Sequence, residues 1–218
     1  QFEKFLTRYD YFGAAGVVDQ YPRAFPEPVR RITAHMKGRS VFDYMNADKV
    51  LKKEDTEAFS FFPVRNMDYR KIYEFYLCTY IRFLQQDWHD YLLRLSPLLT
   101  SLLEFYLQKS YSFDVASISS REGEAWKIRS YIMSQKMPEL LDFLNTKSES
   151  GRFRDSFVAL SNLILILEYF INIRKANEAE QKIFDLFKGL REIEEELRNL
   201  AAHQMIVVSD DWAKRITR

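Results

Sequence analysis

Residues 67–81 read Met-Asp-Tyr-Arg-Lys-Ile-Tyr-Glu-Phe-Tyr-Leu-Cys-Thr-Tyr-Ile, and their spacing sets the fold class. Apolar side chains at Tyr69, Ile72, Tyr73, Tyr76, Leu77, Tyr80 and Ile81 recur every three or four positions. That is one broad face of an α-helix, not the alternation of a half-buried strand. The pattern runs on to about residue 111, with Pro97 expected to end or kink the helix and Ser96 to cap the next. Toward the N-terminus, residues 2–21 have helical spacing and a small-residue patch, Gly13 to Gly16, that lets another helix approach. Pro22, Pro26 and Pro28 break the chain, a second helical region over 28–53 divides near Gly38, and Pro63 marks a further boundary.

Toward the C-terminus, residues 112–119 alternate weakly and fit a short strand or a connection. Residues 122–143 read as helix kinked near Pro138, and Gly151 sits in a polar loop. Residues 153–174 and 176–202 read as two long antiparallel helices. In the second, Ile183, Leu186, Phe187, Leu190, Ile193, Leu197 and Leu200 fall at intervals of three or four. Glu192, Glu194, Glu195 and Glu196 make its opposite, solvated face. After a short apolar stretch from Met205 to Val208, Ser209 or Asp210 is expected to cap a final helix through Trp212. The expected architecture is all-α, a single helical bundle over residues 1–218 that admits one short strand or hairpin insertion.

Composition agrees. Of 218 residues, 47% are hydrophobic and 16% aromatic, enough for a packed core. Six Gly and six Pro are too few for many short strands. With 32 basic and 31 acidic residues, the chain lacks the basic excess of proteins that grip duplex DNA through phosphates alone, so no DNA partner is expected. Cys78 stands alone, which excludes an internal disulfide and a Cys-rich zinc site and suits a reducing cytoplasm. The apolar run over 157–173 is broken by Asn162, Glu168 and Asn172, so it reads as a buried core helix and no membrane partner is expected. Because the chain opens on Gln1, a fragment of a longer protein is expected.

Neither common Gly-rich phosphate loop occurs, nor a His-Glu-x-x-His helix, so no metal or cofactor site is expected. The three histidines, His35, His89 and His203, are the scarce proton carriers. Each follows an arginine by five to seven positions: Arg30, Arg82 and Arg198. Only the third pair has a polar amide directly after the arginine, in Arg198-Asn199-Leu-Ala-Ala-His203, near the end of a long amphipathic helix. These residue types suit RNA cleavage. RNA carries its own nucleophile, the 2′-hydroxyl. An imidazole can take its proton or supply one to the leaving 5′ oxygen. A guanidinium can hold two phosphate oxygens through the transition state. Asn199 and His203, four apart, share a helix face, so the amide can orient the imidazole or touch the phosphate. One histidine per chain cannot serve as both acid and base, whereas two motifs meeting across a twofold axis can.

The plainer alternative has His203 packed at a helix end and Arg198 paired with Glu194 or Glu195 one turn back. By the same measure, His35 and His89 are structural, Trp88 is core or interface, and the cluster Arg23, Arg30, Arg31, Lys37 and Arg39 is a solvated face.

Residues 196–203, continuing through the apolar 205–208 to Asp211-Trp212, resemble the C-terminal HEPN domain of the type III-A CRISPR accessory ribonucleases. The opening Tyr9-Asp10-Tyr11 with Gly13-Ala14 is similar to the helix that begins that domain. The resemblance implies a HEPN-type bundle and a homodimeric endoribonuclease acting on single-stranded RNA without a metal. Its catalytic residues would be Arg198, Asn199 and His203. It also implies an N-terminal CARF sensor domain that binds cyclic oligoadenylate. No alternation of strands and helices in this chain fits such a domain, so the activator is expected on a part of the protein not present here. The competing reading is a HEPN-like module of toxin–antitoxin type that binds RNA or a protein without cutting.

Overall fold

A computed structural model describes residues 1–59 and 66–203, and of residues 57–59 and 197–203 the backbone alone. Among the described residues, eleven α-helices and one small three-stranded sheet occur. The all-α expectation holds, with the hairpin it allowed. The chain divides into two compact units, residues 1–91 and 92–218.

The first unit contains α1 (Phe2–Thr7), α2 (Tyr11–Gln20), α3 (Glu27–Ser40), α4 (Tyr44–Lys49), α5 (Lys53–Phe59) and α6 (Met67–Leu84). The single helix expected over 2–21 is two. Tyr9 adopts a positive φ of 56°, and the Asp10 carboxylate then accepts the Gly13 N–H at 2.8 Å, starting α2 afresh. The small-residue patch does permit close approach: a Cβ on Gly13 would lie 2.4 Å from the Phe5 ring, and Ala14 and Ala15 are buried. The region expected to divide near Gly38 does so just after it, between α3 and α4. There a Gly38 Cβ would fall 2.7 Å from the Ala47 Cβ, so the two helices meet at glycine distance. Pro63 lies outside the described residues.

The long segment over 67–111 breaks elsewhere than expected. Helix α6 stops before Gln85, Gln86 takes a φ of 59°, and α7 (Trp88–Tyr111) begins with Asp87 Oδ1 accepting the Asp90 N–H at 3.3 Å. Pro97 lies inside α7, so Ser96 caps nothing. The proline forgoes one helical hydrogen bond. The turns after it bury Leu98, Leu99, Leu103 and Leu107, and that burial offsets the loss.

The second unit opens inside α7. Residues 112–119 are mainly a connection with a 3₁₀ turn over Val115–Ile118, and a hairpin follows. Strands β1 (Ser119–Glu122) and β2 (Ala125–Ile128) pair antiparallel around a two-residue loop whose Gly123 has a φ of 66°. The helix expected from residue 122 therefore starts later, as α8 (Ser130–Lys136), and is separated at Met137 from α9 (Pro138–Lys147), in which Pro138 takes the first position. Strand β3 (Ser156–Phe157) adds to β2, so the helix expected from residue 153 begins at α10 (Leu160–Arg174). Helix α10 buries Leu160, Leu163, Ile164, Ile166, Leu167, Tyr169 and Ile171, as the apolar run foretold. Around it Leu103, Leu107, Ile118, Ile128, Met133, Leu140 and Leu144 close the core. Among the described residues no helix is long and apolar enough to cross a membrane.

Helix α10 ends on Lys175 in the left-handed region, φ 50°, and α11 (Glu178–His203) returns. Its start is a reciprocal cap: the Glu180 N–H donates to Asn177 Oδ1 and the Asn177 N–H to Glu180 Oε2, both at 3.0 Å.

Candidate functional site

Helix α11 carries the Arg-Asn-x-x-x-His segment. It is anchored by Phe187, buried against the core, with Ile183, Phe184 and Leu190 packed beside it. Tyr106 of α7 meets Phe187 at a ring separation of 6.3 Å. With 26 residues against 15, α11 is about 39 Å long and α10 about 22 Å. The two helices are joined by only three residues and pack together. Such short connections make antiparallel neighbours, so the final third of α11 runs past the first turn of α10.

Positions 198, 199 and 203 lie in that final third. The backbone stays helical through His203, which keeps 199 and 203 one turn apart on a common face. The side chains of Arg198, Asn199 and His203 lie outside the described residues. So do residues 205–208 and the cap and helix expected at Ser209, Asp210 and Trp212.

The approach to the segment is described. Glu192, Glu195 and Glu196 are exposed, as a solvated acidic face requires, but Glu194 is buried. Arg191 Nη1 lies 3.1 Å from Glu194 Oε2 and 3.1 Å from Glu195 Oε2. The two carboxylates proposed as partners of Arg198 are thus both held by an arginine one turn earlier. Arg191 was missed in the sequence, where the acidic run drew attention and its partner did not.

The other arginine–histidine pairs separate. His35 is 2% exposed whereas Arg30 points to solvent. The His35 ring donates from Nδ1 to the Ala47 carbonyl at 3.1 Å and lies 3.6 Å from Asp48 Oδ1. Burial, more than any neighbouring charge, pushes its pKa down, so the ring is neutral near pH 7. Its surroundings form a cavity of about 130 Å³ lined by Arg39, Asp48, Arg70 and Glu74 among others. In it the Arg39 Nε donates to Glu74 at 3.0 Å, and Arg70 grips Asp48 with two N–H groups. Close by, Arg31 binds Asp55 at 2.7 and 2.9 Å. These contacts tie α3, α4, α5 and α6 together. Arg31 and Arg39 are therefore structural members of what reads in sequence as a solvated basic cluster. Arg82 is taken up by Asp90 at 2.8 Å, His89 is exposed, and Trp88 packs edge-on to Phe83 at 5.4 Å. Among the described residues no three His, Cys, Asp or Glu side chains gather as metal ligands would.

Comparison with known proteins adds two findings. The family of the Cas_Csm6 HEPN domain matches residues 61–218. Among solved structures, the chain is similar to Enterococcus italicus Csm6 bound to cyclic hexa-2'-fluoro-hexa-dAMP, with 17% identity and a TM-score of 0.58. That alignment covers all of this chain and 47% of the other, so the chain spans about half the length of that relative. No curated protein matches it.

Proposed function

The chain belongs to the Csm6 HEPN domain family, and from that premise we propose that it is a metal-independent endoribonuclease cutting single-stranded RNA with Arg198, Asn199 and His203. The observation that carries the reading is the place of these residues: they lie in the final third of the described helix α11, inside the span that matches the family.

Cleavage proceeds by transfer of the phosphoryl group to the neighbouring 2′ oxygen. The 2′ oxygen forms a bond to phosphorus, and the bond to the 5′ oxygen breaks. One imidazole takes the 2′ proton while a second supplies a proton to the leaving oxygen. The products are a 2′,3′-cyclic phosphate and a 5′-hydroxyl. His203 provides one imidazole and the partner's His203 the other, in a homodimer that joins two motifs in one cleft. Arg198 stabilises the charge on the transferring phosphoryl group, and Asn199 orients the ring or the phosphate. We take both units as one HEPN domain, acting in type III CRISPR defence in the cytoplasm. Cyclic oligoadenylate, of the class held by the E. italicus relative, would activate it through a CARF domain outside this chain.

The test is cleavage of a fluorophore–quencher single-stranded RNA in excess EDTA. The parent is expected to cut, and His203→Ala to be slower by about 10²–10⁴-fold with an unchanged melting curve. Equal cutting by both proteins would overturn the role of His203. Loss of the parent's activity in EDTA would overturn metal independence.

A further inference from the structure

Residues 148–155, between α9 and β3, form a loop pinned at several points. The hydroxyls of Ser148 and Ser150 both donate to the Arg152 carbonyl, at 2.9 and 3.0 Å. The Phe153 N–H donates to Asn145 Oδ1 at 2.7 Å, and the Phe153 ring is buried in the core. With Phe153 turned inward, Arg152 and Arg154 are both exposed, and they line a cleft of about 520 Å³ together with Ser130, Ser150 and Asp155. Neither guanidinium is paired with a carboxylate among the described residues. The one acid in the cleft, Asp155, is already engaged: it accepts the Ser130 N–H and hydroxyl at 2.8 and 2.7 Å and lies 3.4 Å from Arg129.

Just beyond the cleft in sequence the chain enters β3. Phe157, two positions beyond Asp155, pairs in register with Lys127, and its ring is half exposed. The Lys127 ammonium lies 5.3 Å from the ring centroid. Lys127 is also paired with Glu122 at 3.2 Å, so the charge left for phosphates is that of Arg152 and Arg154; with a half-exposed ring three positions after Arg154, they suit a strand whose phosphates run past while a base stacks. The exposed apolar side chains hereabouts, Phe157, Trp126 and Tyr131, are single rings. A protein partner would need to cover about 800 Å² per side, and the charge pattern offers no such patch.

We propose that this face is a single-stranded RNA subsite, in which Arg152 and Arg154 hold successive phosphates and Phe157 stacks a base. It rests on the ribonuclease reading for its substrate class, but none of its residues belongs to the α11 motif. Stacking on Phe157 needs an unpaired base, which selects single over double strands.

The test is binding of a 5′-labelled 12-nucleotide single-stranded RNA by fluorescence anisotropy, over a range of salt. The whole chain is used, carrying His203→Ala so that the RNA stays intact. The pair Arg152→Gln/Arg154→Gln is expected to weaken binding at least tenfold. It should also flatten the slope of log K against log salt by about 1.4, two phosphates at about 0.7 each. Phe157→Ala should cost about fivefold or more with the slope unchanged. Arg152→Lys/Arg154→Lys should keep the parent slope, which mere damage to the loop would not allow. Equal affinity and slope in the parent and the Gln pair would overturn the subsite. If the unmutated chain still cuts RNA, the ribonuclease reading survives that result; if it neither binds nor cuts, both readings fall.

Discussion

Arg39→Ala should destabilise the first unit strongly, although Arg39 reads in sequence as one of several surface cations. Its Nε donates to both oxygens of Glu74, at 3.1 and 3.0 Å, and Glu74 is only 2% exposed. Truncating one partner of a buried pair strands the other charge and costs about 3–5 kcal/mol. Here Arg70 Nε remains 3.5 Å from Glu74, which places the loss near the lower end, about 3 kcal/mol. Removing both charges with apolar residues of similar size, Arg39→Met/Glu74→Leu, strands nothing on Glu74. It should be closer to neutral than Arg39→Ala by about 2 kcal/mol or more. Urea unfolding followed by Trp88 fluorescence reports on this unit, because that indole packs against Phe83 at 5.4 Å. Trp126 and Trp212 are first changed to Phe so that Trp88 alone emits. The reasoning fails if Arg39→Ala unfolds within about 1 kcal/mol of the parent, or if the double variant is the less stable of the two.

Two further predictions concern the same unit. Arg31 holds the Asp55 carboxyl down to about 2, first through its hydrogen bonds and then with the Lys52 N–H. Since an unfolded Asp titrates near about 3.9, this stabilisation is complete above about pH 4 and is lost as the pH falls toward 2. The gap in Tm between the parent and Arg31→Gln should therefore be wide at pH 6 and narrow steadily below pH 4; a gap constant across that range refutes the pairing. Gly38→Ala gains up to about 1 kcal/mol of helix propensity. It also sets a methyl 2.7 Å from the Ala47 Cβ, so overpacking of about 1–3 kcal/mol should win and lower the midpoint of urea unfolding. Ala47→Gly in the same chain should recover most of the loss.

Apolar spacing made the long helices legible, because tyrosines and leucines at intervals of three and four have one consistent solution. The places where it misled are physically specific. Ser119-Ser-Arg-Glu122 has no apolar alternation, since only Ile128 and the small Ser119 face the core, so the hairpin left Gly123 as its one trace. Pro97 looked like a stop, but a helix with four leucines buried just beyond it absorbs one missing hydrogen bond. The real stop, at Gln85-Gln86-Asp87, is a polar triplet held by Gln85 Nε2 donating to the Arg8 and Tyr9 carbonyls, partners 77 and 76 residues away. Long separation hid the Arg39–Glu74 pair as well, 35 residues apart. The proposed site rests on the opposite kind of signal. Its residues are local, and a polar amide after the arginine distinguishes one histidine of three before any burial is known.

The reciprocal cap at Asn177 fixes the phase of everything downstream on α11. From Asn177 to Asn199 the helix behaves as a shaft about 33 Å long, and each added residue turns its far end by about 100° while advancing it about 1.5 Å. A one-residue insertion anywhere between Phe187 and Leu197 would turn positions 199 and 203 by about 100° away from where the proposed cleavage site needs them, although their local sequence stays intact. A seven-residue insertion would return them to within about 20° of that direction but carry them about 10 Å too far along. The loops elsewhere in the chain can vary in length at little cost, whereas α11 behaves as a gauge block, admitting substitution but no change of length.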